Sequence, residues 1–425
     1  MGSFMGWSAA GGRMIVGQAS AVRFVSLLGL VVPLLAAVPS WADSRDAMER
    51  CHAAYQSGAF DIARGLCARA AKDQSLSAEI RAFAHLYRAM SSCTCEEALP
   101  DYDAAVALAP AMGVFYMSRG NAYHDLKRHD EALRDLMTAA KLEPREPAVY
   151  ASRGNVLMAL DRPTEALADF ERLTNMTPKS SDAWRLKGDV EARLGRLDRA
   201  DGDYARSLKL DSRNGHALAG RAFVRVEAGD LKGARADIDA AVRYQPNEPQ
   251  YALDRGRIAL LAGDPNRAIP DMIQAMHQLP EGARRHYAAI WLSMAILRTG
   301  RELEFMPTVL QVVYGTDKEA WPNSASWLYL TALSKARKQS DMGDGAEYKE
   351  LSRRAADQPN ANPFEDRVCE YGFFMGMYQV LHKDTGQGER LLRQAAERRA
   401  YSWCHTGAKV ELARLRQRAA QGPTR

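Results

Sequence analysis

A repeat with a 34-residue period is the feature that most limits how this chain can fold. The tetrapeptide SRGN occurs at 118–121 and again at 152–155. At the same spacing a small residue recurs through five units, and an alanine stands twelve residues after each of them. The small residues are Gly120, Gly154, Gly188, Ala222 and Gly256, and the alanines are Ala132, Ala166, Ala200, Ala234 and Ala268. Self-similarity at a fixed period predicts a stack of small, equivalent units.

Each unit is predicted to be a pair of amphipathic α-helices joined by a short turn, such as ALDR at 159–162. Where two helices cross closely, only glycine or alanine leaves room for the facing helix, so the two small positions mark the crossing. A proline follows the second helix in four of the five units and ends it, because proline lacks the N–H and clashes with the preceding turn. One helix pair cannot bury its apolar face alone, so neighbouring pairs must stack. No segment of the sequence shows the alternation of period two that predicts strands.

This pattern resembles that of the tetratricopeptide repeat family, whose aromatic, glycine, alanine and proline positions recur in five consecutive units over 113–282. Two further units, 44–78 and 79–112, extend the array upstream. The resemblance implies an all-α fold, a right-handed α-solenoid of stacked helix-turn-helix repeats, with about seven repeats over 43–282. Past this range the register decays, and we interpret 283–425 as degenerate helical repeats with a C-terminal cap.

The N-terminal segment 1–42 has the composition of a secretory signal peptide. Residues 1–23 contain two arginines and no acid, an apolar run follows over 24–39, and the small residues Ser40 and Ala42 come next. This order predicts cleavage after Ala42 and a periplasmic or secreted location. The alternative is an uncleaved N-terminal anchor, but the apolar run is short for a spanning helix and contains Pro33.

A ladder of charges follows the same period. A base stands one residue before each small position, and an acid stands at a fixed position of each second helix. The bases are Arg119, Arg153, Lys187, Arg221 and Arg255, and the acids are Asp101, Asp135, Asp169, Asp203, Asp237 and Asp271. One interpretation is a charged stripe that binds a partner. We favour a row of base–acid pairs that sets the register of the repeats, because every base has an acid and no net charge is left for a ligand.

The concave groove that the resemblance implies is lined by side chains one and four residues after each small position, and three residues before it. The predicted partner-binding residues are Asn121, His124, Asn155, Met158, Arg185, Asp189, Phe223 and Arg257. The groove is therefore expected to be polar at its N-terminal end and more apolar further along. Asparagine amides can bond the backbone of an extended peptide, and apolar positions can take its hydrophobic side chains. The expected partner is a protein or an extended peptide.

One subset of the family holds the terminal carboxylate of a peptide with a clamp of Lys, Asn, Asn, Lys and Arg. This sequence matches the clamp at Asn121, Asn155 and the basic Arg185, but has Met117 in place of the first lysine and Asp189 in place of the arginine. An aspartate at that position would repel a carboxylate, so a carboxylate clamp is not expected.

The six cysteines offer three disulfide candidates, and export would favour disulfides over free thiols. The candidate pairs are Cys51 with Cys67, Cys369 with Cys404, and Cys93 with Cys95. The first pair falls on two helices of one unit and faces the seam between them. The members of the second pair stand close to one repeat length apart and could bridge neighbouring units. The third pair lies in a turn and could be a redox site, half a metal site, a local disulfide or two thiols bonded elsewhere.

Sequence patterns of catalysis, metal binding and nucleic-acid binding are missing. The sequence has no HExxH, no CxxCH, no phosphate-cradling glycine loop and no GxSxG elbow. A net charge of +5 is too small to predict nucleic-acid binding. We therefore expect a non-enzymatic scaffold with no cofactor and no metal. Two alternatives stay open: an accessory subunit of an envelope assembly or polysaccharide export complex, and an enzyme with its site in 283–425.

Overall fold

The computed structural model describes residues 42–92, 94–279, 283–299, 372–373, 376–377, 380, 385–397 and 403–421. Within these ranges the elements with defined bounds are seventeen α-helices, and no strand occurs there, which confirms the all-α prediction. The chain divides after Pro178 into two compact units. The N-terminal unit ends at Pro178 and the C-terminal unit begins at Lys179.

The N-terminal unit contains eight described helices that pack as four consecutive hairpins. They are α1 (Ala42–Gln56), α2 (Phe60–Lys72), α3 (Ala78–Met90), α4 (Cys95–Leu108), α5 (Gly113–Asp125), α6 (His129–Leu142), α7 (Pro147–Ala159) and α8 (Pro163–Met176). The hairpins pair α1 with α2, α3 with α4, α5 with α6 and α7 with α8, and α2, α4 and α6 each also pack on the first helix of the next hairpin. This sequential stacking is the arrangement of an α-solenoid.

The C-terminal unit contains three hairpins of the same kind. Its described helices are α9 (Ser181–Arg193), α10 (Leu197–Leu210), α11 (Gly215–Glu227), α12 (Leu231–Tyr244), α13 (Pro249–Leu261), α14 (Pro265–Gln278), α15 (Ala283–Thr299), α16 (Thr385–Glu397) and α17 (Trp403–Gln421). Helix α15 packs on α14 and contacts α13, so it takes the place of the first helix of a fourth hairpin. Helices α16 and α17 pack on each other, and α17 also contacts α13.

The turn inside each hairpin from α5 to α14 uses one left-handed residue, again at the 34-residue period. Its φ is 64° at Lys127, 56° at Asp161, 75° at Gly195, 84° at Gly229 and 86° at Gly263. The N–H of the following residue bonds to the carbonyl five residues earlier, which is the Schellman arrangement that ends a helix. Glycine adopts this conformation without steric conflict, so the hairpins of the C-terminal unit have the better turn residue.

The small position of each repeat lies close to the second helix of its own hairpin. A Cβ atom added to Gly120 would lie 3.2 Å from the carbonyl oxygen of Ala132 and 3.0 Å from the side chain of Leu136. A Cβ atom added to Gly154 would lie 2.6 Å from the ring of Phe170. The repeated glycine thus allows the close crossing that the sequence predicts.

Gly154→Ala should destabilise the chain, because the new methyl group overlaps the Phe170 ring in a packed hairpin. We expect the free energy of unfolding, measured by urea denaturation, to fall by about 1–3 kcal/mol. Gly65→Ala is the matched control, since Gly65 also lies in a helix of the N-terminal unit but has nothing within 4 Å of an added Cβ. This control should leave stability unchanged or raise it by up to about 1 kcal/mol. Equal losses in the two variants would contradict the close crossing.

Candidate functional site

The base and the acid of the ladder bond to each other inside every hairpin from α5 to α14. Each base stands on the first helix, sixteen residues before its aspartate on the second helix. The N–O distances are 2.7 Å for Arg119–Asp135, 2.8 Å for Arg153–Asp169, 3.0 Å for Lys187–Asp203, 2.8 Å for Arg221–Asp237 and 2.7 Å for Arg255–Asp271. The four arginines bond both carboxylate oxygens, a geometry that holds two helices at a defined rotation. All five aspartates are buried.

The ladder begins differently in the hairpin of α3 and α4. There His85 stands in the slot of the base, and its Nδ1 lies 2.6 Å from Oδ1 of Asp101. Arg88 supplies the guanidinium, with its Nε donating to Oδ2 of Asp101 at 2.6 Å. The ladder also links neighbouring hairpins, because Nη1 of Arg119 donates to Asp103 of the preceding hairpin at 2.8 Å. The ladder charges therefore bond to one another within each repeat, and Arg119 also bonds an acid of the preceding repeat.

The first helices of neighbouring hairpins touch one another, α1 with α3 and α5 with α7, and form what we call the inner face of the N-terminal unit. Asn121 on α5 and Asn155 on α7 stand one residue after the crossing glycine, about 100° around the helix from it. Both side chains are partly buried. The Oδ1 atom of Asn155 is buried and has no hydrogen-bond partner among the described residues. An amide oxygen in that state is an acceptor that lacks a donor.

His124 and Met158 stand one turn further along the same helices and are also partly buried. Nδ1 of His124 lies 3.1 Å from Nδ1 of His129 on α6. Burial and the neighbouring His129 lower the pKa of His124 to about 4, so its ring is neutral at pH 7. The four predicted residues of the N-terminal unit therefore carry no charge at neutral pH, which suits the uncharged backbone of a peptide.

On the C-terminal unit, the structure pairs two predicted groove residues with each other. Nη1 of Arg185 donates to Oδ2 of Asp189 at 2.7 Å, one turn away on α9. The Tyr204 hydroxyl donates to the other oxygen of Asp189 at 2.6 Å. Both residues were expected to face a partner, but their charges are balanced inside α9, because residues four apart lie on one side of a helix.

The apolar part of the predicted groove is covered by the chain itself. Phe223 is 2% exposed and packs against Trp403 of α17, with ring centroids 5.2 Å apart. The Arg257 guanidinium lies 5.3 Å from the Trp291 ring and 5.4 Å from the Trp403 ring. It also donates to Asp254 at 2.9 Å. The prediction that Phe223 and Arg257 are open to a partner is corrected here, because α17 fills the space above them.

A buried ionic cluster holds the middle of α17. Glu411 is buried and bonds to Arg298 of α15 and to Arg414 of α17. The two arginines also donate to the last carbonyls of α13: Arg298 to Leu260 at 3.2 Å and Arg414 to Leu261 at 2.8 Å. The end of α13 leaves carbonyls without helical partners, and these guanidinium groups satisfy them.

The role of the C-terminal helix was not predicted from the sequence. Residues such as Trp403 and Glu411 lie far along the chain from their partners and outside the repeat register. One signal was present in the sequence. The inner positions of α11 and α13 include apolar residues such as Val226 and Leu260. A contiguous apolar surface of this kind is usually buried by another segment or a partner.

Three of the described cysteines are disulfide-bonded and one is a free thiol. Cys51 on α1 and Cys67 on α2 form a disulfide, with Cα atoms 4.9 Å apart, so this candidate pair is present. Cys95 is a free thiol, so the prediction that it forms a disulfide was wrong. It is the first residue of α4, and its Sγ lies 3.7 Å from Oδ2 of Asp125. Burial raises its pKa to about 11. Cys404 is disulfide-bonded, and the predictions for Cys93 and Cys369 fall outside the described residues.

The described residues contain neither a cluster of three or more metal-binding side chains nor a membrane-spanning helix. No group of three or more His, Cys, Asp or Glu side chains there could hold a metal ion. No helix in those residues has the length and apolar character needed to cross a membrane. The signal-peptide prediction concerns residues that the structure does not describe.

Three stretches of the chain, 82–147, 152–215 and 220–283, match the tetratricopeptide repeat family. The chain is similar to tetratricopeptide repeats over these three stretches. The match confirms the resemblance seen in the 34-residue period. Tetratricopeptide repeats are in general protein- or peptide-binding scaffolds without catalytic activity, since their stacked helices present extended surfaces. A comparison with curated proteins found no match.

Solved structures share the fold of the tetratricopeptide repeats. A tetratricopeptide repeat protein from Parabacteroides merdae is 18% identical with a TM-score of 0.50, over 60% of this chain and 98% of that chain. A chain of the APC/C hetero-tetramer Cut9–Hcn1 is 14% identical with a TM-score of 0.50, over 58% of this chain and 48% of that one. YrrB, a TPR protein with an unusual peptide-binding site, is 18% identical with a TM-score of 0.34, over 44% and 96%. At these identities the likeness shows the fold alone.

Arg153→Met should destabilise the N-terminal unit, because it leaves the buried carboxylate of Asp169 without its guanidinium. We expect a loss of about 1–3 kcal/mol in the free energy of unfolding, measured by urea denaturation. The double variant Arg153→Met/Asp169→Leu should recover much of that loss, since no unpaired charge remains buried. Arg162→Met removes an exposed pair with Glu165 and should change stability far less. Unchanged melting of Arg153→Met would show that the ladder does not hold the hairpins.

Proposed function

We propose that the chain is an exported, non-enzymatic scaffold that binds a protein segment or peptide in extended form on the inner face of its N-terminal unit. The observation that carries this proposal is the pair Asn121 and Asn155, at equivalent positions of neighbouring repeats, with the buried Oδ1 of Asn155 lacking a donor among the described residues. A repeated amide on successive first helices offers a row of acceptors and donors. That row matches a ligand whose own donors and acceptors repeat, which is what an extended backbone supplies.

The spacing of the two amides fits such a ligand. Packed helices lie about 8–10 Å apart, and an extended chain advances about 3.3 Å per residue. Neighbouring asparagines would therefore meet backbone groups about three residues apart along a bound peptide. The uncharged His124 and the half-buried Met158 beside them would contact its side chains. The base–acid ladder, in contrast, is engaged in internal pairs and would contribute no free charge to the ligand.

Export is proposed on two grounds. The segment 1–42 has the order of a signal peptide, with the cleavage position after Ala42. The disulfide between Cys51 and Cys67 suits an oxidising compartment such as the periplasm. Sequencing the N-terminus of the mature protein from a periplasmic extract tests this: Asp43 is the expected first residue, and recovery of the intact N-terminus in the cytoplasm would contradict it.

Asn121→Ala/Asn155→Ala should weaken the binding of extended peptides, because it removes the two amides that bond their backbone. Ligands would be selected from a library of random linear peptides with the full chain as bait, and their dissociation constants measured by fluorescence anisotropy. Two lost hydrogen bonds predict a dissociation constant at least about tenfold higher. Met137→Ala, at an exposed position of α6, is the matched control and should bind like the wild type. Full affinity in a double variant with native helix content would place the peptide site elsewhere.

A further inference from the structure

Two histidines face each other across the turn of the hairpin formed by α5 and α6. His124 stands in the last turn of α5, and His129 is the first residue of α6. Their Nδ1 atoms lie 3.1 Å apart, and the planes of the two rings are tilted by 47°. In one straight helix, side chains five residues apart would point about 140° away from each other. The turn between the helices therefore brings these imidazoles together.

The backbone of that turn fixes where the two rings lie. Lys127 has a φ of 64°, a left-handed conformation that a side chain of this size rarely adopts. The N–H of Arg128 donates to the carbonyl of Tyr123 at 2.8 Å and closes the turn. The chain thus reverses directly after His124 and returns His129 to the end of α5. Because the turn sets this arrangement, the two imidazoles are already in place for a ligand.

The repeat itself does not require histidine at these positions. In the next four hairpins the equivalent residues are all apolar. They are Met158 and Pro163, Ala192 and Leu197, Val226 and Leu231, and Leu260 and Pro265. An apolar pair closes the turn without any polar group, whereas two half-buried imidazoles lose part of their hydration there. The histidine pair therefore supplies a chemistry that the fold of the hairpin does not need.

The distance between the two nitrogens suits a shared metal ion. An imidazole nitrogen binds zinc at about 2.0–2.1 Å, and two such bonds that meet at about 90–110° place their nitrogens about 2.9–3.4 Å apart. The 3.1 Å between the Nδ1 atoms of His124 and His129 falls within that range. Both side chains are partly exposed, so water can reach an ion held between them.

The charges around the pair keep both rings in the form that binds metals. Burial lowers the pKa of His124 to about 4 and also lowers the pKa of His129. Both imidazoles are therefore neutral at pH 7, and a neutral imidazole is the metal ligand. Lys127 opposes positive charge at the two rings, while Asp130 of α6 favours it at His129. The guanidinium of Arg128 is paired with Glu131.

We propose that His124 and His129 form a binding site for a divalent transition-metal ion of the zinc class, with both Nδ1 atoms as ligands and water in the other positions. Imidazole favours zinc, copper and nickel over magnesium and calcium. In the metal-free pair, one Nδ1 carries the hydrogen of the bond between the rings. On binding, that hydrogen moves through water to Nε2 of the same ring, so both Nδ1 lone pairs face the ion and no proton is released. The ion would then link α5 to α6 across the turn at Lys127.

This site goes beyond the proposed peptide site, because it takes an ion on a single hairpin and needs no peptide. The experiment titrates the full chain with zinc chloride at pH 7.5 by isothermal calorimetry. His124→Ala and His129→Leu introduce the residues that the α9–α10 hairpin carries at these positions, so both variants should fold. Each should raise the dissociation constant for zinc at least about tenfold.

Two matched variants and a second ion serve as controls. His277→Ala removes an exposed histidine in the last turn of α14 and should bind zinc like the wild type. Cys95→Ser removes the free thiol of the neighbouring hairpin and should do the same. Magnesium chloride should give no binding heat, since magnesium prefers oxygen ligands.

Carbethoxylation of the wild type by diethyl pyrocarbonate tests the site without any variant. Saturating zinc should slow the modification of His124 and His129 at least about tenfold, because the ion occupies one nitrogen of each ring and a hydrogen the other. The modification of His277 should not change. No zinc uptake by the wild type, equal zinc affinity in His124→Ala, or unchanged modification of the two histidines would overturn the proposal. Any of these results would leave them as a neutral, hydrogen-bonded pair.

Discussion

The close crossing of two helices inside each hairpin is the contact on which the rest of the structure depends. At that crossing a glycine faces a ring or a backbone carbonyl of the second helix, as Gly154 faces Phe170. The adjacent residue, Arg153, bonds the buried carboxylate of Asp169 in bidentate geometry. The glycine sets how near the two helices come, and the ion pair sets their rotation. Recurrence of this contact in the five hairpins from α5 to α14 gives them a common geometry, and units of common geometry can stack.

The same contact determines which surfaces are available for binding. The crossing glycine and the ladder arginine face the second helix of their hairpin. The residue after the glycine is therefore turned toward the inner face. In the N-terminal unit that residue is Asn121 or Asn155, and an amide oxygen is left there without a partner among the described residues. In the C-terminal unit the equivalent residues include Phe223, which the helix at the end of the chain covers. Hairpins built on the same repeat pattern thus present two chemically different inner faces.

Much of the fold could be predicted from the sequence because its decisive contacts are local. The glycine and the alanine of a crossing are twelve residues apart and the ladder partners sixteen, so each contact lies within one repeat and recurs with it. The prediction for Phe223 and Arg257 was wrong for the opposite reason. Trp403 covers both side chains, but it is far away in the chain and belongs to no repeat. The repeat period therefore could not predict these contacts. Cys95 shows a similar limit: its contact with Asp125 of a neighbouring hairpin leaves no trace in the spacing of cysteines.

Hydroxyl-radical footprinting of the native, full-length chain measures most directly whether one inner face is accessible while the chain covers the other. Oxidation of each side chain would be compared with its oxidation in the urea-unfolded chain, which removes differences in intrinsic reactivity. Met158, partly exposed on the N-terminal unit, should be protected only weakly. Phe223, 2% exposed beneath Trp403, should be protected at least about tenfold more strongly than Met158. Equal protection of Met158 and Phe223 would contradict the difference between the two faces.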